Sequence, residues 1–173
     1  MNAPVPEGGG AAPLRRLNAR LDRLACAACV VLFGAIFAIM VCQIAFRYLL
    51  NAPLVWTEEL ARYLYVWACY LGAPVALRRG THVSVSVLVD RLPPALGRGV
   101  LLATQGLALV FFAVLAVQGA RLAARSHSVS AITLPIPWSL IYLAVPVAAA
   151  LMLLETVEAV WARGGRPPGE ARL

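Results

Sequence analysis

Few residues in this chain have types and spacings suited to chemistry, and most of those are placed where chemistry is difficult. Cys26 and Cys29 spell C-x-x-C, a spacing that suggests redox or metal chemistry in a soluble protein. Here the pair opens an apolar run, and Cys42 and Cys69 also lie within apolar runs, where cysteine acts as a small apolar residue. His82 and His127 stand in connections between such runs, whereas axial haem ligation would need histidines inside them. His82 fits a ligand, a pH sensor or a surface histidine. No Ser/His/Asp set, phosphate loop or carboxylate pair is placed for catalysis. The sequence therefore predicts no enzyme and no bound cofactor or metal.

One charged cluster stands out, at Glu58, Glu59 and Arg62. Asn51 and Pro53 mark a turn, and Pro53 suits the first turn of a helix. Glu58 and Glu59 then fall near a helix N-terminus, where the dipole favours negative charge. Arg62 follows at spacings of four and three, within reach of both carboxylates. Two readings stand: a docking cluster for a partner, or an interfacial charge pair that fixes the depth of the helix. Trp56, Tyr63, Trp67 and Tyr70 share one helical face. Trp56 and Tyr63 suit an interfacial aromatic belt, and Trp67 and Tyr70 lie deeper, as if against protein. Gly72 with Ala76, and Gly34 with Ala38, are small-xxx-small pairs that permit close helix approach.

The elements that must position these residues are membrane spans. Of 173 residues, 61% are hydrophobic and 13% charged, and the mean hydropathy is +0.79. A soluble domain is roughly 45–50% apolar and about 25% charged. Apolar runs place spans at about 24–46, 56–77, 99–120 and 138–157, near the roughly 17–25 residues a helix needs to cross. The first run is too long for a signal peptide and lacks a cleavage site. The runs do not alternate as barrel strands do. The expected fold is an all-α integral membrane protein with four transmembrane helices and short interfacial amphipathic helices. Residues 14–163 form the membrane domain, and 1–13 and 164–173 are disordered tails.

Arginine sets the orientation, because the chain has no lysine. Arg15, Arg16, Arg20, Arg23, Arg78, Arg79, Arg91, Arg98, Arg163, Arg166 and Arg172 fall on one side, against Arg47, Arg62, Arg121 and Arg125 on the other. Excess positive charge stays cytoplasmic, so both termini are expected inside, with membrane lipid around the spans. The charge of +7 then reports topology, and no soluble basic domain exists to bind nucleic acid. Leucines at 14, 17, 21 and 24 make an amphipathic lead-in. Val83, Val85, Val87 and Val89 alternate with polar residues as in a strand, but a lone strand at a membrane surface has no partner. The expectation over 80–92 is a short interfacial helix ended by Pro93 and Pro94.

The order of these motifs resembles the small membrane subunit of tripartite ATP-independent periplasmic (TRAP) transporters, the DctQ-like family. The resemblance is carried by Arg47-Tyr48, then Asn51-x-Pro53-x-x-Trp56-x-Glu58-Glu59-Leu60-x-Arg62-Tyr63, Trp67 and Leu71-Gly72-Ala73. It continues through Leu77-Arg78-Arg79-Gly80-x-His82-Val83, Asp90-Arg91-Leu92-Pro93 and, near the last span, Pro137-Trp138, Tyr142 and Pro146. Ser86 departs from it, since many relatives carry an acidic residue there. The resemblance implies a bacterial inner-membrane subunit that braces a large permease subunit. In such transporters a periplasmic solute-binding protein delivers an organic acid, and the sodium sites belong to the large subunit. Arg47, Trp56, Glu58, Glu59, Arg62, Tyr63, Trp67, Gly72 and His82 become the candidate docking or structural residues.

Two rival classes fit less well. A stand-alone proton-coupled exporter needs an ionisable residue deep in a span, and the first span has none. An unrelated four-helix assembly protein remains compatible with the residues alone.

Overall fold

The computed structural model describes residues 11–89 and 94–164, with side chains placed for 14–78, 97, 99–100 and 102–161. Five α-helices follow in order: α1 (Ala11–Leu49), α2 (Val55–Val89), α3 (Pro94–Arg125), α4 (Ser139–Tyr142) and α5 (Ala144–Gly164). Four helical stretches are long and apolar enough to cross a membrane: Leu14–Leu49, Val55–Arg78, Leu102–Ser128 and Ser139–Trp161. With four crossings, the start of α1 and the end of α5 lie at one end of the bundle, called here the terminal end; the other is the loop end.

The helix boundaries follow from local chemistry. The α1–α2 hairpin turns through Asn51 at φ 49°, a left-handed conformation that asparagine tolerates better than most residues. The Ala52 N–H donates to the Phe46 carbonyl and closes the turn. Pro94 opens α3, where its missing N–H costs nothing. A single residue, Leu143, separates α4 from α5 while keeping helical angles (φ −61°, ψ −23°). Pro146 explains the interruption, because it has no N–H for the carbonyl four residues back, at Tyr142.

The expected short interfacial helices do not stand as separate elements. The lead-in over 14–23 is the first part of α1, and residues up to Val89 continue α2. Nothing between Arg23 and Leu24 breaks a helix, and extending a formed helix is far easier than nucleating a new one. The same cooperativity overrides the valine alternation over 83–89. At 1.5 Å per residue, the 39 residues of α1 extend about 58 Å, well beyond a hydrocarbon core of about 30 Å. The expectations for the first ten residues, for 90–93 and for 165–173 lie outside the described residues. So does the side chain of His82.

In cross-section, α2 and α5 occupy the middle and touch each other and both flanking spans, while α1 and α3 do not meet among the described residues. Among the described residues the buried apolar positions are small ones, seven alanines (Ala25, Ala61, Ala68, Ala123, Ala144, Ala148 and Ala149) with Gly97, Gly119 and Pro74. Large side chains such as Val30, Phe33, Phe37, Leu107 and Phe111 point outward. Lipid is as apolar as leucine, so helices associate where small residues let their backbones come close.

The tightest approach is at Gly119 of α3. A Cβ added there would lie 2.9 Å from Val145 Cγ1, 3.0 Å from Pro146 Cδ and 3.2 Å from Pro146 N. The proline ring and its backbone nitrogen cannot move aside as a flexible chain end would. Gly72, expected to be a close-approach position, has only Cys29 Sγ nearby, at 4.0 Å, and Gly34 has nothing within 4 Å. The seam lies between α3 and α5, away from the pairs singled out by spacing. Gly119→Ala is expected to destabilise the bundle by about 1–3 kcal/mol. Gly72→Ala should change it by less than about 0.5 kcal/mol. Unfolding of both variants in neutral detergent micelles checks this, and equal effects would contradict it.

Candidate functional site

The loop end of the bundle gathers most of the singled-out residues around one carboxylate. Glu59 sits in the second turn of α2, half-buried. Between α3 and α4 the chain forms a short 3-10 turn (Ser126–Ser128) and then folds back on itself. Ser130 and Pro137 pair as an antiparallel bridge, and hydrogen bonds run from Ala131 N to Ile136 O (2.9 Å) and Trp138 N to Val129 O (2.9 Å). At the tip, the N–H groups of Ile132 and Thr133 both donate to Glu59, at 3.1 Å and 2.7 Å. The Thr133 hydroxyl donates to the same carboxylate, and so does the Tyr63 hydroxyl from the next turn of α2. Each carboxylate oxygen thus accepts two donors.

This differs from the ion pair the sequence suggests. Among the described residues, no hydrogen bond or salt bridge joins Arg62 to Glu58, Glu59 or any other group, and its side chain is exposed. The i, i+3 and i, i+4 spacings place Arg62 within reach of the carboxylates, but four donors already satisfy Glu59. Glu58 is exposed and accepts from Gln43 Nε2 of α1 at 3.0 Å, which ties the first two helices together. Thr57, only 1% exposed, donates to the Leu54 carbonyl at 2.6 Å.

The aromatic face divides in use. Trp67 Nε1 donates to the Leu140 carbonyl of α4 at 3.2 Å, so Trp67 packs against protein as its depth suggests. Tyr63 donates to Glu59. Trp56 and Tyr70 are exposed at 41% and 36%. Arg47, at the end of α1, is exposed beside the same hairpin. Gly72 lies further down α2, facing Cys29. His127 Nδ1 lies 3.3 Å from Ser139 Oγ and links the 3-10 turn to α4.

The site holds the loop in place through main-chain recognition. Sequence reasoning located Glu59, Tyr63 and Trp67 but missed Ile132, Thr133 and Leu140, whose contribution is largely backbone. Gln43 carried a visible signal, as the one strongly polar side chain in the first apolar run. No cluster of three or more His, Cys, Asp or Glu side chains arranged to hold a metal is present among the described residues. Cys29 Sγ instead donates to the Ala68 carbonyl at 3.7 Å, between α1 and α2.

If Glu59 fixes the loop tip, replacing it with glutamine substitutes an amide group for one of the accepting oxygens. Glu59→Gln is expected to speed amide exchange at Ile132 and Thr133 by on the order of tenfold, leaving α5 unchanged. Hydrogen–deuterium exchange in micelles measures this, and unaltered protection at both amides would remove Glu59 from that role.

Comparison with known proteins identifies the family. The family model for the DctQ component of tripartite ATP-independent periplasmic transporters matches residues 36–164. The chain is 33% identical over 132 residues to the sialic acid TRAP transporter small permease protein SiaQ of Vibrio cholerae, covering 76% of each chain. It is 33% identical over 119 residues to the C4-dicarboxylate TRAP transporter small permease protein DctQ of Rhodobacter capsulatus, covering 66% of this chain and 52% of that one. A 62-residue stretch is 44% identical to the sialic acid TRAP transporter permease protein SiaT of Haemophilus influenzae, covering 36% of this chain and 10% of that protein. These are transporter components, not enzymes, and the chain belongs to the DctQ component family of TRAP transporters.

Proposed function

We propose that this chain is the small membrane subunit of a TRAP-type secondary transporter, bracing a large permease subunit during ion-driven uptake of an organic acid. The observation that carries the reading is how its charged side chains are used at the loop end. Glu59 is consumed in holding the loop, while Arg62 stands exposed one turn away with no partner among the described residues. A guanidinium near a helix end reaches the interface at little cost, so an exposed Arg62 that no described group of this chain engages is available to an opposing charge on a second protein. The Haemophilus influenzae permease supports a large partner, because a stretch like this one exists there inside a far longer chain.

In this reading α1 to α5 act as a scaffold. The substrate and sodium sites belong to the large subunit, and a periplasmic binding protein delivers the solute. The loop end faces the periplasm and the terminal end faces the cytoplasm of a bacterial inner membrane, a reading that the arginine distribution supports. The exposed tip at Ile132, 91% accessible, is then on the side from which the binding protein arrives.

A tagged chain should co-purify from membranes with a large multi-span permease. Arg62→Glu should still insert but should lower both co-purification and organic-acid uptake, by on the order of fivefold. Wild-type levels of both would sink the proposed contact. A green fluorescent protein fused at the C-terminus should fluoresce and an alkaline phosphatase fusion there should be inactive; the opposite pair would invert the topology.

A further inference from the structure

The terminal end carries a second polar cluster that spacing did not single out. Asn18 of α1 is 1% exposed, and its Nδ2 donates to the Leu154 carbonyl at 3.2 Å and to Glu158 Oε2 at 2.6 Å, both on α5. Arg78 of α2 lies 3.7 Å from Glu155 Oε1, also on α5. Asp22, one turn beyond Asn18, shares the electrostatic field of Glu155 with Arg78 and Glu158. Three helices therefore meet at one side-chain amide, one guanidinium and three carboxylates.

That arrangement leaves acceptors over. Asn18 Oδ1, Asp22 Oδ1 and Glu155 Oε2 are buried, and no hydrogen-bond donor reaches them. Asn18, Asp22 and Glu155 line one small cavity together with Leu21, Ala25, Pro74, Val75 and Leu151. Its volume of about 10 Å³ is room for about one water molecule. Buried acceptors left unpaired are costly, and one guanidinium does not balance three carboxylates. The other arginines of this end with placed side chains, Arg15, Arg16, Arg20 and Arg23, are exposed and do not line the cavity.

We propose that this cavity between α1, α2 and α5 binds one monovalent inorganic cation of sodium size, held by Asn18 Oδ1, Asp22 Oδ1 and Glu155 Oε2. The chemistry of the lining selects that guest. All three unpaired atoms are oxygen acceptors, so a water could satisfy two of them and would bring lone pairs that need donors of their own. A cation is attracted to all three and offsets part of the excess negative charge. A divalent ion fits less well, because the site offers two carboxylates and an amide rather than a compact cage of three or more acidic ligands. The bound ion would lock α1 and α2 against α5 at the end of the bundle opposite Glu59.

The full-length chain in neutral maltoside micelles tests this without the permease, so the outcome is independent of the transporter reading. At constant ionic strength, replacing choline chloride with sodium chloride should raise the melting temperature by about 3–6 °C at tenfold excess over half-saturation. Potassium should give an equal or smaller rise, and Asp22→Asn should abolish both. Saturable sodium-23 line broadening by the wild-type chain, reversed by excess potassium, gives a second readout that does not depend on the variant folding. Coincident melting curves in all three salts, an undiminished sodium effect in Asp22→Asn, or absence of saturable broadening would each overturn the proposal. A melting temperature that follows pH but not sodium would also overturn it, with a proton in the cation's place.

Discussion

Lipid gives an apolar helix no reason to prefer another helix over its own solvent, and the whole bundle is arranged around that constraint. Burial of large side chains, which drives folding in water, is nearly neutral when the alternative environment is hydrocarbon. The apolar interior described here is accordingly made mostly of alanines, with Gly119 against Val145 and Pro146 as the closest glycine approach. Phenylalanine, valine and leucine point outward, where they cost nothing. What such a seam lacks is specificity, since one stripe of small residues resembles another. Polar contacts at the two ends supply it.

Those contacts share a pattern. At the loop end, Glu59 and Trp67 of α2 reach the loop tip and α4. At the terminal end, Asn18 of α1 and Arg78 of α2 reach α5. Each ties the first helical hairpin to the second half of the chain, and the ties lie at opposite membrane boundaries. A hydrogen bond between helices is modest in lipid, about 0.6 kcal/mol on average. Two clusters separated by the thickness of the bilayer nevertheless resist rotation far better than the same bonds side by side.

How much of this was readable in the sequence depends on the range of each interaction. The four spans were legible because hydropathy is a local property, and the start of α2 was legible because Asn51, Pro53 and Glu58 act within a turn or two. Trp67 was placed against protein on depth alone. Glu59 was found but given the wrong partner: helical spacing sees only neighbours on its own helix, so Arg62 was visible and the Thr133 amide, 74 residues away, was not. Asn18 and Glu158 are 140 residues apart, and their only local trace was a four-residue step from Asn18 to Asp22 and a three-residue step from Glu155 to Glu158. Gly119 was missed for the opposite reason. Many glycines and alanines in a membrane chain stand four apart, and only the approach of Pro146 distinguishes this one.

The same logic separates residues that hold this chain together from residues that remain for something else. Glu59 has its hydrogen-bonding capacity filled from within, so it cannot also offer a strong contact to a partner. Arg62 and Arg47 are exposed at the same boundary. Being on the helix that carries the Glu59 clasp, Arg62 is held at a fixed height and angle by an internal contact that is not itself available for binding. The charged cluster is therefore divided in use: Glu59 is bonded internally to the loop tip, and Arg62 is left exposed on the next turn. Of the two readings of the sequence, the charge pair is not formed among the described residues, and the proposed docking role narrows to Arg62.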